Sequence, residues 1–481
     1  MVKIGLEVHG YLDTREKLFC MCRTGASELG VGGLKLGEKE GGVNDRICPI
    51  CTGTPGSKPM AANEEAVKKM IQIALVFGSK INMETVWQRK HYDWADNPKG
   101  YQTTVSGAHA SVNAKGGKFK GINIWEIHLE EDPAQWNPES GKINYNRSGL
   151  PLIEMVTAPE FSDSEQVVEW LKSLVISLSY IKALRRNAGI KVDVNVSTGG
   201  ERVEMKNLNS LEKIRKAINF EVARQLEVVE SSGFEVGSKE LMELLPQETR
   251  AYDESKGITV KMRSKENASD YRFIPDPDLA VMKIDSKLIK EIKGKMPEMP
   301  EVKLARLLKT HKVSAGDAKI LARNLELVEF FEELAKSGVG GSGLGVGKAI
   351  SWVTVELLRV LNYNKKSLED ADVDIRPEHL AELIKAVEAG DITVLKGKQI
   401  MNDFVPKSFS LAEHKGEIGN IDEAAIENLC RQVIGENAHV VEEYKGGKAA
   451  SLNFLIGSVM RLSERRADFK VAGDCLKRLI G

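Results

Sequence analysis

Ile127-His-Leu-Glu-Glu-Asp132 is the stretch that decides how the first part of this chain folds. It ends a run, 122–130, whose alternation predicts a β-strand. One face would hold Ile122, Ile124, Glu126, His128 and Glu130, and the other Trp125, Ile127, Leu129 and Glu131. The three successive carboxylates at its end repel one another. Such a run fits a solvated strand end, and it also fits a place where a cation or a bound proton absorbs the charge.

Length and composition describe a globular protein of several domains. The 481 residues, 42% hydrophobic and 28% charged, exceed what one core usually holds, so we expect two or three domains. A formal net charge of -1 leaves any nucleic-acid contact to a local basic surface. No run approaches about 18 apolar residues, and Met1-Val-Lys-Ile-Gly5 opens directly into a strand pattern. The sequence therefore predicts a cytoplasmic protein with no membrane association.

Four of the six cysteines form two close pairs, Cys20 with Cys22 and Cys48 with Cys51. In a reducing compartment this spacing favours a structural zinc site with four thiolate ligands. A redox pair is the alternative, but it would leave Cys20 and Cys22 without a role. The other two cysteines lie in helical patterns and are expected in the core.

Two further places in the strand-rich part carry candidate site residues. Ile4-Gly-Leu-Glu-Val-His9 puts Glu7 and His9 on one strand face, where both could reach one cation or phosphate. Glu154 stands between two apolar residues, where an unpaired carboxylate is costly, so it needs a cation or a base nearby.

The segment 89–102 combines basic and aromatic residues without a period of its own. It could hold a nucleotide, with Lys90 and Lys99 near the phosphates, or it could be a surface excursion. Both interpretations remain open from the residues alone.

From about residue 291 nearly every segment has helical spacing, after the linker Met296-Pro-Glu-Met-Pro300. The fold class expected is α+β: a large, mixed, strand-rich N-terminal cradle domain (1–290), an all-helical domain (291–406) and a small helical tail domain (407–481). The glycine-rich segment 337–348 lacks the Walker A residues at Ser342 and Ala349, so we interpret it as a flexible interhelix loop. In the tail, an apolar stripe adjoins basic residues that either solvate a helix or meet phosphates.

The motifs together resemble one family, the B subunits of the aspartyl/glutamyl-tRNA(Asn/Gln) amidotransferases, over essentially the whole chain. The matching stretches in the first part are Ile4-Gly-Leu-Glu-Val-His9, Lys17-Leu-Phe-Cys20, Cys48-Pro-Ile-Cys51, Asp96-Asn-Pro-Lys-Gly-Tyr-Gln102, His128-Leu-Glu-Glu-Asp132, Tyr145-Asn-Arg147, Pro151-Leu-Ile-Glu154, Asp193-Val-Asn-Val-Ser197 and Lys206-Asn-Leu-Asn-Ser210. They continue in Asp270-Tyr-Arg272, Pro275-Asp-Pro-Asp278, Glu443-Tyr444, Gly447-Lys448 and Phe454-Leu-Ile-Gly457.

The resemblance implies a reaction in two steps. ATP phosphorylates the side-chain carboxylate of misacylated Glu-tRNA(Gln) or Asp-tRNA(Asn), and ammonia channelled from a separate glutaminase then displaces phosphate. The implied magnesium ligands and catalytic residues are Glu7, His9, Glu131 and Glu154. The implied ATP-contacting residues are Lys90, Lys99, Tyr101, Asn146 and Arg147. The basic set of the tail supplies the residues expected to bind tRNA, Lys448, Arg461 and Arg465. The implied partners are the amidase (glutaminase) and small subunits of a heterotrimer, misacylated tRNA and the misacylating aminoacyl-tRNA synthetase.

The chain departs from the family pattern in four places: 91–95, 133–135, 188–193 and 467–469. The first three adjoin the expected active site. Two alternatives differ in class. One is the paralogous subunit of the archaeal Glu-tRNA-specific enzyme, whose extra domain has no room before the linker. The other is a zinc-stabilised tRNA-binding protein without kinase chemistry, which would leave the carboxylates without a function.

Overall fold

A computed structural model describes residues 2–25, 42–107, 111–186, 188–264, 271–311, 313–337, 349–414 and 419–481. The chain divides into two compact units, Met1–Met299 and Pro300–Gly481. Across the described ranges, none of the helices combines the length and the apolar character needed to cross a bilayer. The segment 338–348, expected to be an interhelix loop, lies outside the described residues.

The first unit is built on a ten-stranded sheet in the order β15-β14-β13-β12-β1-β11-β8-β6-β2, with β7 pairing to β8. Smaller sheets are formed by β16-β4-β5, β10-β9 and β17-β3. The strands are β1 Lys3–Tyr11, β2 Lys80–Ile81, β3 Glu84–Thr85, β4 Gln88–His91, β5 Tyr101–Thr104, β6 Ala114–Lys115, β7 Lys118–Phe119, β8 Ile122–Glu131, β9 Gln135–Trp136, β10 Ile143–Asn144, β11 Pro151–Thr157, β12 Ile190–Ser197, β13 Val203–Leu208, β14 Glu248–Asp253, β15 Ile258–Ser264, β16 Arg272–Pro275 and β17 Met282–Lys283.

The described part of the first unit has five helices, α1 Glu64–Phe77, α2 Ser164–Tyr180, α3 Leu211–Ser232, α4 Lys239–Leu244 and α5 Ser286–Lys295. Of these, α1, α2 and α3 pack on the apolar face of this sheet. Alternate strand residues such as Leu6 on β1, Ile153 on β11 and Val194 on β12 are at most 1% exposed and share one core with residues of α1, α2 and α3. Because strand side chains alternate between faces, the residues between these core positions lie on the opposite, polar face. That face carries the candidate site.

The central strand β8 differs from the expected alternation. Its pairing with β11 shifts register, so that Val156 lies opposite Glu126 but Thr157 lies opposite Ile124. Because this bulge inserts an extra residue into β8, the side chains before it point to the opposite face from the one that simple alternation predicts. As a result Ile124 is buried in the same core as Ile127, and the prediction that Ile124 shares a face with Glu126 is wrong.

The second unit is helical, which together with the strand-rich first unit confirms the α+β class. Its described helices are α6 Pro300–Thr310, α7 Ala315–Leu321, α8 Leu325–Lys336, a π-helix Trp352–Leu357, α9 Leu358–Tyr363, α10 Pro377–Ala389, α11 Val394–Asp403, a 3-10 turn Leu411–His414, α12 Glu423–Glu436, α13 Ala438–Lys445, α14 Ala450–Leu462 and α15 Phe469–Ile480. The last four helices share a core that includes Cys430 and Cys475. The expected boundaries near 290 and 407 stay predictions.

Candidate active site

Three neighbouring strands bring the first group of site residues together. On β11, Glu154 stands opposite His9 of β1 and opposite His128 of β8. The Nε2 atom of His9 lies 3.6 Å from Glu154 Oε1, and His128 Nδ1 lies 2.8 Å from Glu154 Oε2. The other ring nitrogen of His128 lies 3.0 Å from Glu126 Oε2. Glu154 is therefore held between two imidazoles. They are the bases that the sequence predicted near a carboxylate with apolar neighbours.

The charges of His128 and Glu154 stabilise each other. Burial opposes protonation of His128, but its hydrogen bonds with Glu126 and Glu154 raise its pKa to about 10. Burial likewise opposes ionisation of Glu154, but the hydrogen bond with His128 and the nearby His9 lower its pKa to about 2. Glu154 is therefore an anion at neutral pH despite its burial.

Glu130 completes this group. Ligand atoms of His128, Glu130 and Glu154 all lie within 4.8 Å of one another. The Thr104 hydroxyl donates a short hydrogen bond to Glu130 Oε1, and Gln102 Nε2 lies 3.3 Å from its Oε2. Burial, and next the charge of Glu154, raise the pKa of Glu130. The charge of Glu154 raises the cost of ionising Glu130, and a divalent cation between the two carboxylates would lower that cost.

Glu7 belongs to a second acidic group on the same sheet face. Its ligand atom and those of Asp193 and Glu204 lie within 4.8 Å of one another. Lys206 Nζ lies 3.2 Å from Asp193 Oδ2 and 2.9 Å from Glu204 Oε1, so this group already holds one positive charge. Asn195 Nδ2 donates to Glu7 Oε1 at 3.0 Å. Burial, followed by the charges of neighbouring carboxylates, raises the pKa of Glu7.

Glu131 has different partners from the other predicted magnesium ligands. Its Oε1 accepts a short hydrogen bond from Lys99 Nζ and another, 2.9 Å long, from the backbone N–H of Thr103. Within the described ranges, Glu7, His9, Glu131 and Glu154 thus do not form a single ligand group. Glu130 was not among the predicted ligands, although strand alternation from His128 could have identified it.

Lys90 and Tyr101 lie on the small sheet beside this site, and Lys99 lies in the turn that precedes β5. Lys90 Nζ lies 4.5 Å from the centroid of the Tyr271 ring, and its positive charge is one of the causes that lower the pKa of Glu154. Lys99 Nζ lies 4.8 Å from the centroid of the Tyr101 ring. Both lysines predicted to contact ATP therefore flank the carboxylates.

Asn146 and Arg147 make contacts with neighbouring loops. The amide of Asn146 donates to Gly42 O and Asp45 Oδ1, both at 3.0 Å. Arg147 Nε lies 3.0 Å from Asp132 Oδ2 and 2.9 Å from Pro133 O. Arg147 thus orders the loop that follows β8, whereas Asn146 holds the segment that contains Gly42 and Asp45. Their predicted contact with ATP stays a prediction.

The four clustered cysteines meet as the sequence predicted. Their sulfur atoms lie within 4.8 Å of one another, and Cys48 Sγ is 3.9 Å from Cys51 Sγ. A tetrahedral zinc ion with Zn–S distances of about 2.3 Å holds its sulfurs about 3.8 Å apart, so the set fits zinc. Hydrogen bonding with Cys20, assisted by Lys17, lowers the pKa of Cys51 to about 5. Lys17 Nζ lies 3.4 Å from Cys51 Sγ.

Comparisons with known proteins now decide the family. Residues 2–290 match the model of the GatB/GatE catalytic domain, and residues 329–480 match that of the GatB domain. The B subunit of the aspartyl/glutamyl-tRNA(Asn/Gln) amidotransferase from Methanocaldococcus jannaschii is 40% identical, over 99% of this chain and 97% of that protein. The chain belongs to the GatB family of amidotransferase subunits. The corresponding B subunits of Methanothermobacter thermautotrophicus and Methanobrevibacter smithii are 38% and 40% identical, over 100% and 96% of this chain and the same shares of theirs.

In this GatB-family chain, the carboxylate groups and the cysteines lie within the match to the catalytic domain. The description of that domain covers both GatB and GatE, whereas the match at 329–480 is to the GatB domain. The resemblance predicted from the motifs is therefore confirmed.

The basic residues expected to bind tRNA lie within the GatB-domain match. Lys448 is exposed and pairs with Glu443 at 3.0 Å. Arg461 and Arg465 are exposed at and just beyond the end of α14. The backbone carbonyl of Arg465 accepts from Thr393 Oγ1 at 2.7 Å. The three side chains are accessible, and their role in tRNA binding stays a prediction.

Proposed function

We propose that this chain is the tRNA-carboxylate kinase and amidating component of a glutamine-dependent aminoacyl-tRNA amidotransferase. Its substrates are Glu-tRNA(Gln), Asp-tRNA(Asn) or both. The observation that carries the proposal is the buried group of His128, Glu130 and Glu154 beside Lys90 and a second acidic group. Structural stability alone does not require so many buried carboxylates on one sheet face.

The reaction transfers the γ-phosphoryl group of ATP to a carboxylate oxygen of the tRNA-borne side chain. This forms an acyl phosphate and ADP. Ammonia then attacks the carbonyl carbon, the bond to phosphate breaks, and the side-chain amide and inorganic phosphate are released. The first step brings anionic oxygens together, so it needs concentrated positive charge.

Magnesium, when bound, would supply this charge by neutralising phosphoryl oxygens. Glu130 and Glu154 would hold it, with His9 beside them, because carboxylate oxygens are its usual protein ligands. Glu7 lies in the adjoining acidic group, where it extends the negative surface toward Asp193.

The lysines and their supports have separate roles. Lys90 and Lys99 would bind ATP phosphates, and the contact of Glu131 with Lys99 positions that lysine. Tyr101 would pack beside the nucleotide. Asn146 and Arg147 would shape the ATP site through the loops that they order.

The proposed reaction also requires a folded catalytic domain and a source of ammonia. Zinc on the four cysteines would stabilise the catalytic domain. The amidase (glutaminase) and a small third polypeptide would complete a cytoplasmic heterotrimer that supplies ammonia through a channel. The basic residues of the tail would bind tRNA, and the misacylating synthetase would deliver it.

The decisive experiment uses the chain copurified with the other two components of the heterotrimer. With radiolabelled ATP, magnesium and each misacylated tRNA, we expect label on the tRNA-borne side chain, and conversion to the amide when glutamine is added. Binding of misacylated tRNA without ATP-dependent labelling or amidation would favour the non-catalytic tRNA-binding alternative and contradict the proposal.

A further inference from the structure

Two tryptophan rings meet on the surface beside the candidate active site. Trp94 lies in the loop between β4 and β5, and Trp136 lies on β9. Their ring centroids are 6.2 Å apart with an angle of 45° between the planes. Trp94 is 56% exposed and Trp136 is 36% exposed. An exposed pair of large aromatic rings is a typical binding surface, because each ring offers apolar area at little entropic cost.

The backbone beneath the two rings is ordered by hydrogen bonds. The N–H of Asn97 donates to the carbonyl of Trp94 at 3.0 Å, which closes a turn under that ring. The N–H of Ala134 donates to the carbonyl of Asp96 at 2.7 Å, which joins the two segments directly. On the other side, Trp136 pairs with Ile143 in a short hairpin. The rings thus form a surface that exists before a ligand binds.

Both rings are joined to the proposed kinase site by short stretches of chain. Trp136 follows Glu131 by five positions, and Trp94 precedes Lys99 by five. Five residues span at most about 18 Å, and Lys99 contacts Glu131 itself. The pair is therefore anchored, on both of its segments, to the residues at the end of β8.

The proposed substrate determines what must lie there. The side chain to be phosphorylated is esterified to the terminal nucleotide of a tRNA, whose 3′ end is unpaired. Unpaired nucleotides therefore lie next to the carboxylate site whenever substrate is bound. Unpaired bases stack on aromatic rings irrespective of sequence, since every base has a π face.

We propose that Trp94 and Trp136 form a stacking platform for the unpaired 3′ nucleotides of the tRNA, an inference that rests on the proposed function. The exposed acidic residues Asp93 and Glu139 flank the rings in sequence. They disfavour phosphate contacts at this point, so the platform takes base faces rather than the backbone. Its contribution to affinity is therefore insensitive to salt, unlike that of a basic surface.

The test measures binding of two deacylated tRNAs to the chain in its heterotrimeric complex, without ATP. One tRNA is intact and the other lacks the unpaired 3′ nucleotides. Trp94→Ala and Trp136→Ala should each weaken binding of the intact tRNA about tenfold and leave binding of the trimmed tRNA unchanged. The loss should be the same at low and high salt. Trp125→Ala, at a ring that is 53% exposed elsewhere in the same unit, is the matched control.

Equal losses for both tRNAs, or no loss for either, would overturn the platform. Loss of the amidase on purification would show instead that the rings contact protein, which also overturns it. Trp94→Phe and Trp136→Phe keep a ring and should retain most of the affinity, so a folding defect in an alanine variant does not obscure the result. The binding assay involves no phosphorylation, so its result is independent of the labelling experiment. The platform can be confirmed when the kinase proposal fails, and it can be refuted when the kinase proposal holds.

Discussion

The imidazole Nδ1 of His128 lies 2.8 Å from the Oε2 atom of Glu154, its direct neighbour on the adjacent strand. This contact explains how a carboxylate set among apolar residues stays charged: the hydrogen bond offsets the cost of burial and holds the pKa of Glu154 near 2. Glu154 is therefore ionised at every physiological pH, with His128 as its counter-ion.

Glu154→Gln should reduce formation of the phosphorylated intermediate by roughly 10²-fold or more without unfolding the protein, because it removes charge but keeps shape. The measurement is ATP-dependent labelling of misacylated tRNA with magnesium varied. Glu235→Gln, at an exposed carboxylate of the same unit, is the control. Near-normal labelling by the Glu154 variant at limiting magnesium would show that Glu154 is not a ligand.

Glu130→Gln and Glu131→Gln should have different effects, although the two residues are adjacent. Glu130 faces Glu154, so its variant should need more magnesium for half-maximal activity. Glu131 contacts Lys99, so its variant should chiefly raise the KM for ATP. Magnesium and ATP titrations of both variants make the distinction. The opposite pattern would restore Glu131, the residue implied by the family motif, as the ligand.

Cys48→Ser should abolish binding of one zinc ion per chain and lower the thermal midpoint of unfolding, since a closed four-thiolate site contributes folding energy. Metal analysis and thermal unfolding of protein purified without chelator provide both values. Cys430→Ser, also buried but remote in sequence and in the tail core, should lower stability while leaving zinc content unchanged. A wild-type protein with four titratable thiols and no zinc would refute the site.

Replacing Lys448, Arg461 and Arg465 together by alanine should weaken tRNA binding and reduce its dependence on salt, because each phosphate contact releases counterions. Filter binding across a range of salt concentrations measures both effects. A triple variant of exposed lysines in the first unit, at Lys172, Lys216 and Lys256, serves as the control. Unchanged affinity and salt dependence in the tail variant would place tRNA binding elsewhere.

Deleting the tail from about residue 407 should likewise weaken tRNA binding and leave the first unit folded.

Local sequence patterns determined much of this protein. Alternation placed Glu7 and His9 on one strand face, the cysteine spacing predicted a shared site, and the ordered motifs indicated the family. Strand alternation depends only on residues that are close in the chain. Clustered cysteines are informative because few functions require them. Such signals can be read without knowing which strands are neighbours.

The tertiary structure alone decided which side chains share a site. A period of two assigns a face but not a partner: Glu7 joined Asp193 through the register of β1 with β12, nearly two hundred residues apart in sequence. The bulge in β8 reversed the facing of Ile124, and no local pattern marks it. Lys99 contacts Glu131, and Trp94 contacts Trp136, because separate loops fold against the same end of β8. Strand register and loop contacts are set by packing of the whole sheet, which the sequence determines only through all of its residues together.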